Sequence, residues 1–205
     1  MKSSDSVPYY EYHARRLADA DLTKSDPGEA LPFLQELRPG ARVLDLGCGS
    51  GFDLSYIRKA GMEGVGLDAS EARLKIAATL NPDAPMLQKN LLFYTPAEGE
   101  WDGVWANRSL HHFSPEVCQR VIASTFRGLK RNGVLGVVVY EGTEGFQDRT
   151  GDLSGPSRWI QPWREKAISS MIEQSGFVIK RVGRKPQESE RGHMLPSLLI
   201  LARKI

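Results

Sequence analysis

The feature that most narrows what this 205-residue chain can become is the run Val43-Leu44-Asp45-Leu46-Gly47-Cys48-Gly49-Ser50-Gly51. It reads as an apolar strand that feeds a turn with glycine at every second position, followed by a helical pattern from Phe52. Glycine lacks Cβ, so the chain can turn sharply at the carboxyl end of the strand and let a ligand approach the main chain closely.

From Ala41 onward, short apolar runs alternate with helical patterns, which predicts a mostly parallel sheet covered by helices on both faces. Strands are expected at Arg42 to Leu46, Gly64 to Asp68, Pro85 to Lys89, Gly103 to Ala106, Val134 to Tyr140, Val178 to Val182 and Ser197 to Ala202. Helices are expected near Glu29 to Glu36, Phe52 to Ala60, Glu71 to Leu80, Pro115 to Lys130 and Pro162 to Ser175, the fourth stopping before Asn132-Gly133. Cys118, Val121, Ile122, Thr125, Phe126 and Leu129 fall at the spacing of one buried helical stripe. The last two strands are joined through a polar loop, 183–193, with no helical pattern. A parallel crossover needs a longer connection, so these strands should be antiparallel neighbours.

The length suits one domain, with residues 1–40 as a helical lead-in and 41–205 as the core. A formal net charge of +2 with dispersed basic residues argues against nucleic acid as an obligatory partner. Lys180, Arg181, Arg184 and Lys185 read as solvated charge at a strand end. No apolar run is long enough to span a bilayer and the first residues are polar, so a cytoplasmic protein is expected. The two cysteines are far apart and outside any C-x-x-C pattern, so neither a disulfide framework nor a metal site is expected.

The glycine spacing is G-x-G-x-G, whereas dinucleotide sites use G-x-G-x-x-G, and Phe52 follows where a small residue would be needed. Asp45 adds negative charge where a pyrophosphate would want positive potential; a cationic ligand would welcome it. Asp68 ends the second strand 17 positions after Gly51, near the spacing of an acid that bonds ribose hydroxyls. The competing reading is that Asp68 caps the next helix, a role that Ser70 can already fill.

These residues resemble the class I S-adenosylmethionine-dependent methyltransferases, with segment order closest to small bacterial enzymes related to the tellurite-resistance branch. The resemblance implies an α/β Rossmann-like three-layer sandwich with sheet order 3-2-1-4-5-7-6 and strand 7 antiparallel. It implies S-adenosyl-L-methionine as cofactor, held by Asp45, Gly47, Cys48, Gly49, Ser50 and Gly51, by Asp68 and Ala69, and by Asn90 and Leu91 after the third strand. Asn90 stands where the family usually has Asp. After the fourth strand, Asn107 would line the methionine end and His112 would face the reaction centre; the competing reading, preferred for His111, is that the histidine pair packs or caps the helix after Pro115. Tyr10 and His13, in the aromatic and basic stretch from Tyr9 to Arg16, match a segment that folds over the methyl site; an exposed amphipathic helix is the alternative. Arg158 and Trp159, beyond the polar loop 142–155, are candidates for contact with the acceptor, whereas Trp163 reads as core.

The implied activity is in-line methyl transfer to a small-molecule acceptor, which needs alignment and exclusion of water more than a triad or a metal. The alternatives are a non-catalytic partner protein that keeps the cofactor fold and a nicotinamide-dependent oxidoreductase, the latter disfavoured by the glycine spacing.

Overall fold

The computed structural model describes residues 6–23, 28–148, 155–185 and 196–205. In chain order its elements are α1 (Val7–Thr23), α2 (Leu31–Leu34), β1 (Arg42–Leu46), α3 (Phe52–Lys59), β2 (Glu63–Asp68), α4 (Glu71–Leu80), β3 (Met86–Gln88) and β4 (Trp101–Asn107). There follow a 3-10 turn (Leu110–His112), α5 (Pro115–Gly128), β5 (Leu129–Tyr140), β6 (Phe146–Asp148), β7 (Arg158–Ile160), α6 (Glu165–Gln174), β8 (Phe177–Lys185) and β9 (Ser197–Lys204).

Seven strands form one sheet in the order β3-β2-β1-β4-β5-β9-β8. β1 to β5 run parallel, and β9 lies antiparallel to both β5 and β8. This is the implied order, with β8 and β9 as the sixth and seventh strands. The central parallel strands β1, β2 and β4 are buried on both faces, which is why they read as nearly continuous apolar runs. Leu44, Leu46, Val104, Ala106, Val137 and Val139 face one layer, where they meet Val121 and Ile122 of α5 and Ile168 and Ile172 of α6. Val43, Trp105, Val134 and Val138 face the other, against Phe33 of α2 and Ile57 of α3.

Local signals explain several ends. Ser70 caps α4, its Oγ accepting from Arg73 N at 3.1 Å, as its position before the helical run suggests. The stripe on α5 is buried as expected at Cys118, Val121, Ile122 and Thr125. That helix ends at Gly128, sooner than its periodicity suggests, because Leu129 already pairs with Trp101 in the sheet. Asn132, at φ 64°, therefore lies within β5 rather than at a helix stop, beside a register shift in its pairing with β4.

Three other expectations change. The helix expected from Glu29 to Glu36 contracts to the four residues of α2. The segment around Arg158, read as loop, is strand β7, paired antiparallel with β6 in a separate ribbon: Phe146 opposes Ile160, and Asp148 opposes Arg158. α6 starts at Glu165, not Pro162, and Trp163 is buried just before it. Most of the polar loop between the last two strands lies outside the described residues.

α1 is not a surface helix. Tyr9, Ala14, Leu17 and Ala18 are buried, and the helix packs on α4, where the Glu11 carboxylate accepts from Ala72 N at 3.3 Å in the first turn.

Candidate active site

A cleft of about 890 Å³ opens beyond the carboxyl ends of β1, β2 and β4, where open α/β sheets place their ligands. Its floor is the glycine-rich turn. Gly47, Gly49 and Gly51 have φ of 82°, 53° and 80°, a region that disfavours side chains. A Cβ on Gly47 would stand 2.5 Å from Ser109 Cβ, so that position is closed sterically as well.

Asp45 is 2% exposed on β1, and its Oδ2 has no hydrogen-bond partner. Burial, then the neighbouring Asp53 and Asp68 carboxylates, raise it well above the ordinary carboxylate range. Such a group favours a positive ligand. Ser50 and Ser109 line the same cleft with buried hydroxyls that also lack partners. A glycine cradle closed to side chains, a buried carboxylate with one unpartnered oxygen and two idle hydroxyls together fit a sulfonium-bearing amino-acid nucleoside.

Asp68 lines the cleft and also braces its wall. Its Oδ2 accepts from Gly49 N at 2.9 Å and its Oδ1 from Ser70 N at 2.8 Å, tying the glycine turn to the start of α4. The cap of α4 is Ser70, and Asp68 instead braces the turn that leads into it. Ala69 and Leu91 also line the cleft. Asn90 lines it too, with its amide oxygen already accepting from Leu92 N at 2.9 Å. The Cys48 thiol is buried in the wall, and burial raises it well above the ordinary thiol range, which makes it a poor nucleophile.

Asn107, at the end of β4, donates to Asp53 Oδ2 at 2.8 Å and accepts from Arg108 Nη1 at 2.9 Å. Trp105 Nε1 reaches the same Asp53 oxygen at 2.7 Å. Arg108 in turn pairs with Glu29 at 2.9 Å. Asp53 and Arg108 were missed in the sequence because a charged residue in a first helical turn or after a strand reads as solvated.

At the side of the cleft nearest α1, three sequence candidates from distant segments converge. Arg158 Nη1 donates to Tyr10 Oη at 2.9 Å, and Tyr10 Oη stands 2.7 Å from His112 Nε2. His112 Nδ1 lies 2.9 Å from the Trp159 carbonyl, which can only accept, so the proton sits on Nδ1 and Tyr10 donates to Nε2. Burial, then the charge of Arg158, draws His112 down to about 3. Burial pushes the Tyr10 phenol up, against the pull of Arg158 and Arg73. Arg158 itself, partly buried, is held at 2.8 Å by the buried Asp148.

Other candidates are placed differently. Trp159 contributes its carbonyl, while its ring packs over Gly145. His13 is buried on α1 between Tyr9 and Tyr12, with ring centroids 4.6 and 4.8 Å away, and is not among the residues lining the cleft. His111 is stacked on Tyr140 at 5.0 Å, the packing role expected of it, though it also borders the cleft.

Residues 43–133 match the family model described as "Methyltransferase domain". An uncharacterized methyltransferase from Synechocystis sp. is 31% identical over 197 residues, covering 87% of this chain and 86% of that protein. This chain belongs to the class I S-adenosylmethionine-dependent methyltransferases. The malonyl-[acyl-carrier protein] O-methyltransferase of Enterobacter lignolyticus is also 31% identical, over 63% of this methyltransferase and 48% of its own length. Solved structures share the fold. An S-adenosylmethionine-dependent methyltransferase from Methanosarcina mazei superposes with a TM-score of 0.76 at 19% identity, covering 83% of this chain and 95% of that one. The Burkholderia thailandensis 1,6-didemethyltoxoflavin-N1-methyltransferase, solved with 1,6-didemethyltoxoflavin and S-adenosylhomocysteine, gives 0.74 at 22% identity, covering 96% and 84%.

Proposed function

We propose that this methyltransferase alkylates a small-molecule acceptor held beneath α1, with Tyr10, His112 and Arg158 shaping the acceptor end. The observation that carries the reading is the hydrogen-bonded series Arg158–Tyr10–His112, which closes α1 over a cleft of about 890 Å³. A cleft of that size suits a cofactor with a small acceptor beside it. The Burkholderia thailandensis enzyme, solved with 1,6-didemethyltoxoflavin bound, supports the same size class.

When bound, the cofactor supplies a methyl carbon activated by positive sulfur. Asp45 and the backbone of Gly47 to Gly51 would hold its cationic amino-acid part, with Cys48 and Ser50 completing the wall. Asp68 would bond the ribose, and Ala69, Asn90 and Leu91 would border the adenine. Asn107 would line the methionine end through the amide that Asp53 and Arg108 hold in place. Alignment of this kind can supply about 7–11 kcal/mol of barrier reduction.

His112 has a fixed tautomer with both ring nitrogens engaged, so it orients the Tyr10 hydroxyl rather than collecting protons. Arg158 is charge-balanced by Asp148 and acts as a positioning residue for Tyr10. The test is a screen of fractionated cell extract for cofactor-dependent methylation, read as S-adenosylhomocysteine formed together with a methylated product. A product in the low-molecular-mass fraction is expected. Turnover confined to protein or nucleic-acid fractions would overturn the small-molecule reading.

A further inference from the structure

Arg73 lines the same cleft as the glycine-rich turn and Tyr10. It sits in the first turn of α4, where an arginine would ordinarily point to solvent, yet it is 8% exposed. Its guanidinium lies against the glycine-rich turn, so that a Cβ on Gly49 would stand 2.3 Å from Nη2. On its other side it approaches the Tyr10 ring, 5.4 Å from the centroid. Arg73 therefore stands between the cofactor floor and the acceptor end.

Its charge is also less neutralised than that of the other arginines in the cleft. Arg108 and Arg158 pair with carboxylates whose side chains are only 16% and 7% exposed. Arg73 Nη2 pairs with Asp21 of α1 at 2.9 Å, but that side chain is 41% exposed, so water shares its charge. Arg73 Nε is buried with no hydrogen-bond partner. A buried guanidinium with an idle donor is costly unless an acceptor arrives.

Resting on the cofactor assignment above, we propose that Arg73 receives the α-carboxylate of the cofactor's amino-acid end. S-adenosylmethionine has a single anionic group, and a carboxylate matches the planar fork of a guanidinium. The ribose is neutral and would have Asp68 beside it, while the Asp45 and Asp53 carboxylates, also lining the cleft, disfavour an anion next to themselves. Arg73 thus selects ligands that keep the amino-acid end, and it does so next to the lid helix through Asp21.

The experiment compares calorimetric binding of S-adenosylhomocysteine with that of 5'-methylthioadenosine, which keeps the adenosine and sulfur but lacks the carboxylate. Arg73→Gln should weaken S-adenosylhomocysteine roughly 10- to 100-fold and change 5'-methylthioadenosine less than about threefold. Arg73→Lys, which keeps the charge without the fork, should fall between wild type and Arg73→Gln. Equal losses for both ligands, or none, would overturn the assignment. Asp21→Asn keeps the test decisive if the Arg73 variants fold poorly: S-adenosylhomocysteine affinity should hold or rise as Arg73 is released from competition. A fall of tenfold or more would show that Arg73 serves only to latch α1. If wild type bound neither ligand, the cofactor assignment itself would fail, a result distinct from any of these.

Discussion

Tyr10 of α1 and His112 of the turn after β4 lie 102 residues apart in the chain and are joined by a 2.7 Å hydrogen bond. Arg158 of β7 donates to the same hydroxyl, so α1, the turn after β4 and the small ribbon meet at one oxygen atom.

Tyr10→Phe removes that oxygen and leaves Arg158 Nη1 and His112 Nε2 without it. We expect kcat to fall on the order of 10- to 100-fold while S-adenosylhomocysteine affinity changes little, since the loss is one of acceptor alignment. Stability should drop by about 1–3 kcal/mol from the newly unsatisfied groups. Steady-state kinetics and denaturant titration of one variant check both, and an unchanged kcat would remove Tyr10 from the acceptor end.

Acid should destabilise the fold partly through His112. Its folded value is about 3 and its ordinary value 6.5, so between those pH values the unfolded chain binds a proton that the native one refuses. Stability is therefore full above pH 6.5 and declines as pH falls toward 3, by at most about 1.4 kcal/mol per pH unit for this proton. His111, lowered by its burial and then by His112, adds in the same direction. Denaturation curves at pH 7, 6 and 5 should be steeper in pH for wild type than for His112→Gln; parallel curves would contradict the buried neutral imidazole. In the folded enzyme His112 stays neutral across this range, so kcat/KM should show no limb near pH 6.5 from it.

Asp68→Ala should weaken S-adenosylhomocysteine roughly 10- to 100-fold and also lower the melting temperature by a few degrees. Both effects are expected because the carboxylate braces Gly49 N and Ser70 N as well as facing the cleft. Asp68→Asn, which keeps one acceptor, should lose less of each. A lower melting temperature with unchanged affinity would leave Asp68 a brace alone.

Gly47→Ala should cost about 2 kcal/mol or more, since φ is 82° and the added Cβ meets Ser109 Cβ at 2.5 Å. Thermal shift with S-adenosylhomocysteine should disappear in this variant and remain in wild type, and NAD should shift neither. A preserved ligand shift would show that the turn is not the cofactor floor.

The strand and glycine turn from Arg42 to Gly51, the acid at Asp68, the cap at Ser70 and the stripe on α5 were legible in the sequence because each is set by residues a few positions apart. The antiparallel final pair was legible for a related reason: the connection lacks the helical length of a crossover. Tertiary structure decided what lies between distant segments. β6 and β7 are three residues each, too short for a periodic signal, and only their pairing brings Asp148 to Arg158. That ion pair holds Arg158 beside Tyr10. Likewise Arg73 has no local mark of function, since α4 turns it inward only because α1 packs over that face and Asp21 meets it there. Local spacing determines strands, turns and caps; the charge balance and orientation of a buried side chain depend on which elements the fold stacks against it.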